Sequence, residues 1–463
     1  MVRVREASHA GSWYTADGAQ LGGELQDWLN DVPDTIPEIE PAGSSCQAPV
    51  TGVRAIIGPH AGLGYSGATA AYAYRCIDVT KVRRVFLLGP SHHVYLEKCA
   101  VSACDEYETP MGNIRVDRDT IDELRSKWGP DAWQFMSTRA DEDEHSLEMH
   151  LPFIYKIFEA SVDRIRLVPI MVGNLRLERE RQYGEMLAPY LADEENLFVI
   201  SSDFCHWGNR FRFTLYRDED THAFVHLGTT RSTAATAAAS AASAASAGAA
   251  AQPIWKSIRD LDWMGMRKIA RLDHRAFARY LEETDNTICG RHPIGVLLAA
   301  VNLLYSRDQL DAALAAGSAA SDAPRLRFVK YDQSSKVLSP RDSSVSYASA
   351  YLCCRSVGNA DRMTAERRMS GGGGGSVLVA SPTQKKPEVV GADRAASSSE
   401  SSALTAKEHE SLISEAEWGF RTWLRETSPP SGFVMYPSTR QILKSLNTLH
   451  DVLEDVDLSD IAL

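Results

Sequence analysis

No apolar run in this chain approaches the roughly 20 residues that a membrane-crossing helix needs, and the opening MVRVREASHA has no apolar core of the kind a secretory leader carries. Positive charge is not in excess. Lys and Arg number 49 against 61 Asp and Glu, a formal net charge of −12, which argues against non-specific binding to nucleic acid. The eight cysteines are scattered without framework spacing, so free thiols in a reducing compartment are expected. Cytosol is the expected location, and the nucleus is compatible with it. The glycine-rich turn Ala61–Gly67 lacks both the lysine and the G-x-x-x-x-G-K-[ST] spacing of a phosphate loop.

What is present suits a large core. Hydrophobic residues make up 44% of the 463-residue chain and tryptophans number nine, while length alone allows two or three domains. The strongest local signal is Val85–His93, VFLLGPSHH: five apolar residues, a Gly-Pro turn, then two histidines. A short apolar run bounded by turn residues reads as a strand buried on both faces. Such strands belong to parallel sheets with helices above and below, and their ligands bind beyond the carboxyl ends. Arg54–His60 repeats the grammar and ends in His60, and Asn196–His206 repeats it and ends in Asp203 and His206. Ile165–Gly173 is a fourth run without a histidine. Three strand ends therefore deliver imidazoles to one sheet edge, which suggests a metal or proton-transfer site.

Other segments read as follows. Thr15 or Asp17 caps a helix through Leu21, Leu25 and Leu29, and the Pro-, Gly- and Ser-rich Thr35–Val50 reads as loop. Gly62, Gly64 and Gly67 are expected to let the backbone approach whatever His60 touches, ahead of a small-residue helix Ala68–Cys76. The acidic run Asp141–Glu144 reads as a solvated helix start. His145 and Glu148, three apart, share a helix face, and the carboxylate there would set the imidazole's tautomer. Helices are expected within Leu177–Leu191 and across Trp255–Leu281, and from Pro293 to Leu304. Cys289 sits just ahead of that last helix, beside Arg291 and His292, where dipole and charge favour thiolate. Strands are expected in FVKYDQSS and SVSYASAYL. Residues 1–355 thus form the ordered unit, interrupted by a low-complexity Ala/Ser insertion at 228–251. Residues 356–403 read as a disordered linker and 404–463 as a helical tail able to bind a protein partner.

Two neutral imidazoles and one anion on three loops suit a transition metal with open positions. His60, His92 and Cys289 make such a set, and the thiolate tilts selection towards copper(I), zinc or iron without choosing among them. His206 and His145 would then be unligated bases for proton transfer, with Asp203 orienting His206.

SHAGSWY, IIGPHAG, LGPSHH, DEDEHSLEMHLP, SSDFCHWG, NTICGRHPIGVLL and DSSVSYA, in this order, resemble the Memo (mediator of cell motility) family over about residues 1–355. The resemblance implies a single three-layer α/β domain with a largely parallel sheet, of the class III extradiol dioxygenase (LigB-like) type. It implies iron or copper held by His60, His92 and Cys289, with Asp203 and His206 on adjacent polar positions of the same cleft and His145 in a motif lining it, so these three are the expected catalytic residues. Trp13 and Tyr65 fall on positions implicated in binding a phosphotyrosine peptide, and His93 is expected to join them as a peptide- or substrate-binding residue. The chain departs from the family pattern after PHAG, where Leu63 and Gly64 replace a larger and a polar residue. A cytosolic and nuclear protein of redox and cytoskeletal signalling is implied. Two alternatives stand beside it: a phosphopeptide-binding adaptor, and a ring-cleaving dioxygenase, against which a thiolate in place of a carboxylate counts.

Overall fold

The computed structural model describes residues 2–218, 221–227, 252–316 and 324–354. The expected insertion, linker and C-terminal helices lie outside the described residues. Among the described residues no helix is long and apolar enough to cross a membrane.

Four apolar runs become the parallel centre of a nine-stranded sheet, in the spatial order Val53–Gly58, Asn196–Ser201, Arg84–Pro90, Arg166–Val172. Nearly every side chain in these strands is buried, as strands covered on both faces must be. Ser201 pairs with Gly58, and Ile200 with Leu88, so the carboxyl ends finish nearly level. Antiparallel strands complete both sides. Ser344–Cys353 joins Val53–Gly58 and carries Arg325–Gln333 and the short His206–Trp207, while Cys99–Val101 pairs with Arg166–Val172. The expected α/β architecture, a mostly parallel sheet flanked by helices, is the one found.

One helical pair, Leu177–Leu191 and Arg291–Leu304, packs together against the central strands. Leu63–Arg75 covers Val53–Gly58 and Ser344–Cys353, and Gly18–Asp31 packs against that helix. Asp17 caps Gly18–Asp31 by accepting from the Gln20 N–H, and Leu21, Leu25 and Leu29 form its buried stripe.

Three local expectations are corrected. Thr35–Val50 is not loop: Thr35–Ile39 and Ala42–Gln47 form an antiparallel hairpin, because Ile36 and Glu38 face inward against the domain. The small-residue helix begins at Leu63, not Ala68. Its glycines do not serve the site. A Cβ on Gly67 would lie 2.6 Å from the Trp28 ring, so that glycine permits helix packing, and Gly64 faces open space.

The acidic run is solvated only in part, at Glu142 and Asp143. Asp141 and Glu144 are buried, because a fully buried Arg5 reaches into the segment. Arg5 donates to the Asp141 carbonyl (3.0 and 3.2 Å) and the Glu144 carbonyl (3.1 Å), and it pairs with the Glu148 carboxylate. Asp141 accepts from Ser102 (2.6 Å) and Tyr107 (2.5 Å). Removing one partner of a buried pair leaves the other charge uncompensated, at about 3–5 kcal/mol. Arg5→Ala is therefore expected to lose that much stability in denaturant unfolding. A loss below about 1 kcal/mol, the range of a surface pair, would contradict this assignment.

Candidate metal centre

The carboxyl edge gathers the imidazoles. His60 follows the strand Val53–Gly58 and His92 follows Arg84–Pro90, with ring centroids 5.2 Å apart. His145 stacks on His92 at 4.3 Å and meets His60 edge-on at 5.5 Å. One ring nitrogen from each of the three lies within 4.8 Å of the others. No further group of this kind is found among the described residues. Cys289 arrives from the turn before the helix Arg291–Leu304, and its Sγ is 3.1 Å from His60 Nε2. Gly290 makes that approach feasible, since a Cβ there would fall 2.2 Å from Ser202 Cβ.

Hydrogen bonds fix the tautomers. The Ser201 hydroxyl donates to the Ser146 carbonyl (2.7 Å), so it accepts from His60 Nδ1–H (2.6 Å). The His60 Nε2 lone pair is thereby turned to Cys289. His92 Nδ1 donates to Glu144 Oε1 (2.8 Å), and its backbone N–H donates to the other carboxylate oxygen (2.6 Å). A carboxylate behind an imidazole is the arrangement that orients metal-ligating histidines. His145 Nδ1 is buried with no hydrogen-bond partner.

Electrostatics split the three rings. Burial would push His92 down, yet the Glu144 carboxylate and Cys289 hold it well above the usual histidine range. Burial and the neighbouring His92 hold His60 and His145 well below it. Burial raises Asp203 to about 7, against the His60 backbone N–H that it accepts at 2.8 Å. Burial lowers His206 to about 4.

Several expected pairings are replaced. Glu148 does not serve His145. Its carboxylate is taken up by His9 Nδ1 (2.7 Å), the Tyr14 hydroxyl (2.6 Å) and Arg5, beside the one-turn helix His145–Glu148. Glu144 is the carboxylate of the site. Asp203 does not orient His206, whose Nδ1 contacts the carbonyls of Phe204 (2.9 Å) and Thr287 (3.1 Å). At Cys289 burial raises the thiol above its ordinary range, while the hydrogen bond and charge of His92 pull it down. Of its presumed cationic neighbours, Arg291 is exposed and His292 is tied to Glu180 (2.7 Å) and Asn174 (2.8 Å).

Trp13 stacks on His145 with centroids 4.4 Å apart, and His93 meets the same ring edge-on at 5.8 Å. Tyr65 stands 72% exposed at the start of the helix Leu63–Arg75. Sequence reasoning missed Arg5, His9 and the role of Glu144. Arg5 carried no signal. Glu144 did, since it directly precedes the histidine-bearing HSLEMH.

The family described as Memo-like protein matches residues 5–351. This chain belongs to the Memo family. Protein MEMO1 of Mus musculus is 42% identical over 351 residues, covering 76% of this chain and 98% of its own. Protein MEMO1 of Homo sapiens is 41% identical over the same span. The Protein memo-1 homolog of Caenorhabditis elegans is 40% identical over 350 residues, covering 75% of this chain and 82% of its own. A solved structure of an uncharacterized protein from Escherichia coli K12 aligns with 64% of this chain at 12% identity and a TM-score of 0.32. The Memo motifs IIGPHAG, LGPSHH and NTICGRHP are the segments that converge here, from three separate elements.

In metal-free protein at neutral pH, His92 is expected to be the charged ring and His60 and His145 neutral. Imidazole nitrogen shifts in NMR read this directly. Glu144→Gln removes the anion behind His92 and is expected to lower its titration; an unchanged His92 would refute the pairing.

Proposed function

We propose that this Memo-family chain binds a redox-active metal ion, iron(II) or copper, through His60, His92 and Cys289, with zinc as a competitor. Its action in redox chemistry and in cell-motility and cytoskeletal signalling belongs to the same proposal and is drawn from the family resemblance. The observation that supports metal binding is the convergence of three imidazole nitrogens within 4.8 Å of one another, with the Cys289 sulfur beside His60. The donor set fits. His60 presents an unprotonated Nε2, His92 is oriented by Glu144, and His145 Nδ1 is a buried nitrogen without a partner. Imidazole with thiolate is a borderline-soft set that suits iron, copper or zinc over magnesium and calcium.

A bound iron or copper supplies one-electron chemistry and a Lewis-acidic open position. The chain's own groups provide the rest. His206 and Asp203 stand beside the metal residues as proton carriers, and His145 either donates its orphan nitrogen to the ion or holds a proton above it. Trp13 walls the cleft by stacking on His145. The exposed Tyr65 favours a second reading, an adaptor that takes a phosphotyrosine peptide at the same mouth. Titration with such a peptide tests it, and absence of binding removes it.

Anaerobic reconstitution followed by elemental analysis is expected to give about one metal per chain. His92→Ala and Cys289→Ala should weaken binding by at least about 100-fold, beyond the 10–100-fold typical of an orienting residue such as Glu144. No uptake of iron or copper at micromolar concentration would sink the proposal.

Binding must also displace protons, because ligands coordinate deprotonated. His92 and the Cys289 thiol are both held above their ordinary ranges. Affinity is therefore expected to rise with pH through neutrality and above, with proton release seen by calorimetry in buffers of different ionisation enthalpy. Affinity independent of pH would contradict a site built on these two groups.

A further inference from the structure

The turn that carries Cys289 is braced from behind by a buried carboxylate. Glu180 lies in the first turn of the helix Leu177–Leu191 and is buried. Burial would raise its carboxyl, but hydrogen bonds from His274 and His292 hold it below the ordinary carboxylate range. An ionised carboxylate only accepts. So His292 Nδ1 donates to Glu180 Oε1 (2.7 Å), and His274 Nε2 donates to Oε2 (2.6 Å). His274 opens the helix His274–Thr284. His292 lies in the first turn of Arg291–Leu304, three positions beyond Cys289. That helix seats directly on the carboxylate, since a Cβ on Gly295 would fall 2.3 Å from Glu180 Oε2.

The far side of the His292 ring leads to the loop that carries His92. His292 Nε2 meets Asn174 Oδ1 at 2.8 Å, just past the strand Arg166–Val172. The same strand end grips that loop on both sides of His92. The Ser91 N–H donates to the Val172 carbonyl (3.1 Å), and the Asn174 N–H donates to the Leu96 carbonyl (2.7 Å). Gly173 lets the two backbones close, since a Cβ there would fall 2.3 Å from the Leu96 carbonyl oxygen. One hydrogen-bonded path thus runs from the His92 loop through Asn174 and His292 to Glu180.

We propose, resting on the metal reading above, that Glu180 and His292 are positioning residues that set the Cys289 sulfur against the His92 loop from outside the cleft. Neither residue touches the ion. Each acts through the first turn of Arg291–Leu304. The turn's other holds point elsewhere: the Gly290 N–H donates to the Ser202 hydroxyl (3.1 Å), and the Thr287 hydroxyl donates to the His206 carbonyl (3.0 Å). These tie Cys289 to the stretch after Asn196–Ser201, on the His60 side. The path through His292 supplies the link to the His92 side. Metal ligands must be held within about 0.5 Å of their bonding geometry by the groups behind them. Ligands delivered from two separate loops meet that demand only where the loops are joined to each other.

The test titrates the reduced, chelator-treated full chain with cobalt(II) alone, which an iron(II) site binds at least as well as iron. Sulfur coordination gives cobalt(II) a charge-transfer band in the near ultraviolet, distinct from its visible ligand-field bands. The wild-type chain is expected to show both. His292→Ala and Glu180→Ala should bind at least about tenfold more weakly and lose much of the sulfur band while keeping the ligand-field bands. His274→Ala removes a Glu180 partner but leaves the path to Cys289 whole. It should lower the unfolding midpoint and leave the sulfur band as in wild type. The positioning role is overturned if His292→Ala and Glu180→Ala bind and absorb as wild type does, or if His274→Ala loses the band equally. A wild-type chain that takes up no cobalt(II) sinks the iron reading of the site, and this role with it. Asn174 is exposed, so Asn174→Ala decides the question if neither other variant folds: a weaker sulfur band is expected, and an unchanged one overturns the role.

Discussion

A guanidinium with no exposed surface sits at the root of this structure. Arg5 holds the segment 141–148 by three of its backbone carbonyls and by the Glu148 carboxylate. Burying such a charge is costly unless it is fully paired, and here the pairing is dense. Glu148 accepts from Arg5, from the His9 ring and backbone, and from Tyr14. Burial would raise its carboxyl, but the His9 hydrogen bond and the Arg5 charge hold it at about 2. The folded pKa is depressed, so this contribution is complete above the unfolded value, about 4.3. It is lost as pH falls through that value towards about 2.

That anchor sets the site above it. With 141–148 held, Glu144 faces the strand end at His92 and His145 stacks on the same ring. Trp13 and His9 arrive with the N-terminal segment that Arg5 belongs to, and they close the wall around His145. The sheet supplies His60, His92 and Asp203 at its carboxyl edge, where α/β proteins place their ligands. The segment 141–148 supplies the carboxylate and third imidazole, and the turn before Arg291–Leu304 supplies the sulfur. Elements far apart in the chain must close on one spot, so the geometry rests on packing more than on local preference.

A second buried carboxylate links the remaining loops. Asp262 accepts from the Cys205 N–H (3.2 Å), the Asn286 amide (3.0 Å) and the Tyr331 hydroxyl (2.8 Å). It therefore ties the stretch holding Asp203 and His206 to the stretch holding Cys289. Burial raises it to about 6, against the hydrogen bonds that it accepts. Like Glu148, it acts through position, joining segments whose side chains then meet at the centre.

The sequence by itself determined the sheet and its loaded edge. Runs such as VFLLGP and NLFVIS are too apolar for any place but a covered parallel strand, and the histidines that follow them land at the carboxyl ends by chain continuity alone. His60 and His92 were legible for that reason, while the helix at Gly18–Asp31 was legible from its cap and the helix start behind Cys289 from Pro293. Tertiary structure decided what each charge met. Whether an acid is solvated or buried depends on a partner from elsewhere in the chain, and Arg5 lies 143 positions from Glu148. Hence Asp141 and Glu144 went inside, Glu148 turned from His145 to Arg5, and Cys289 met His92 in place of Arg291 and His292. Hydrophobic pattern is local and survives in the sequence; the pairing of buried polar groups is long-range and exists only when the chain has closed.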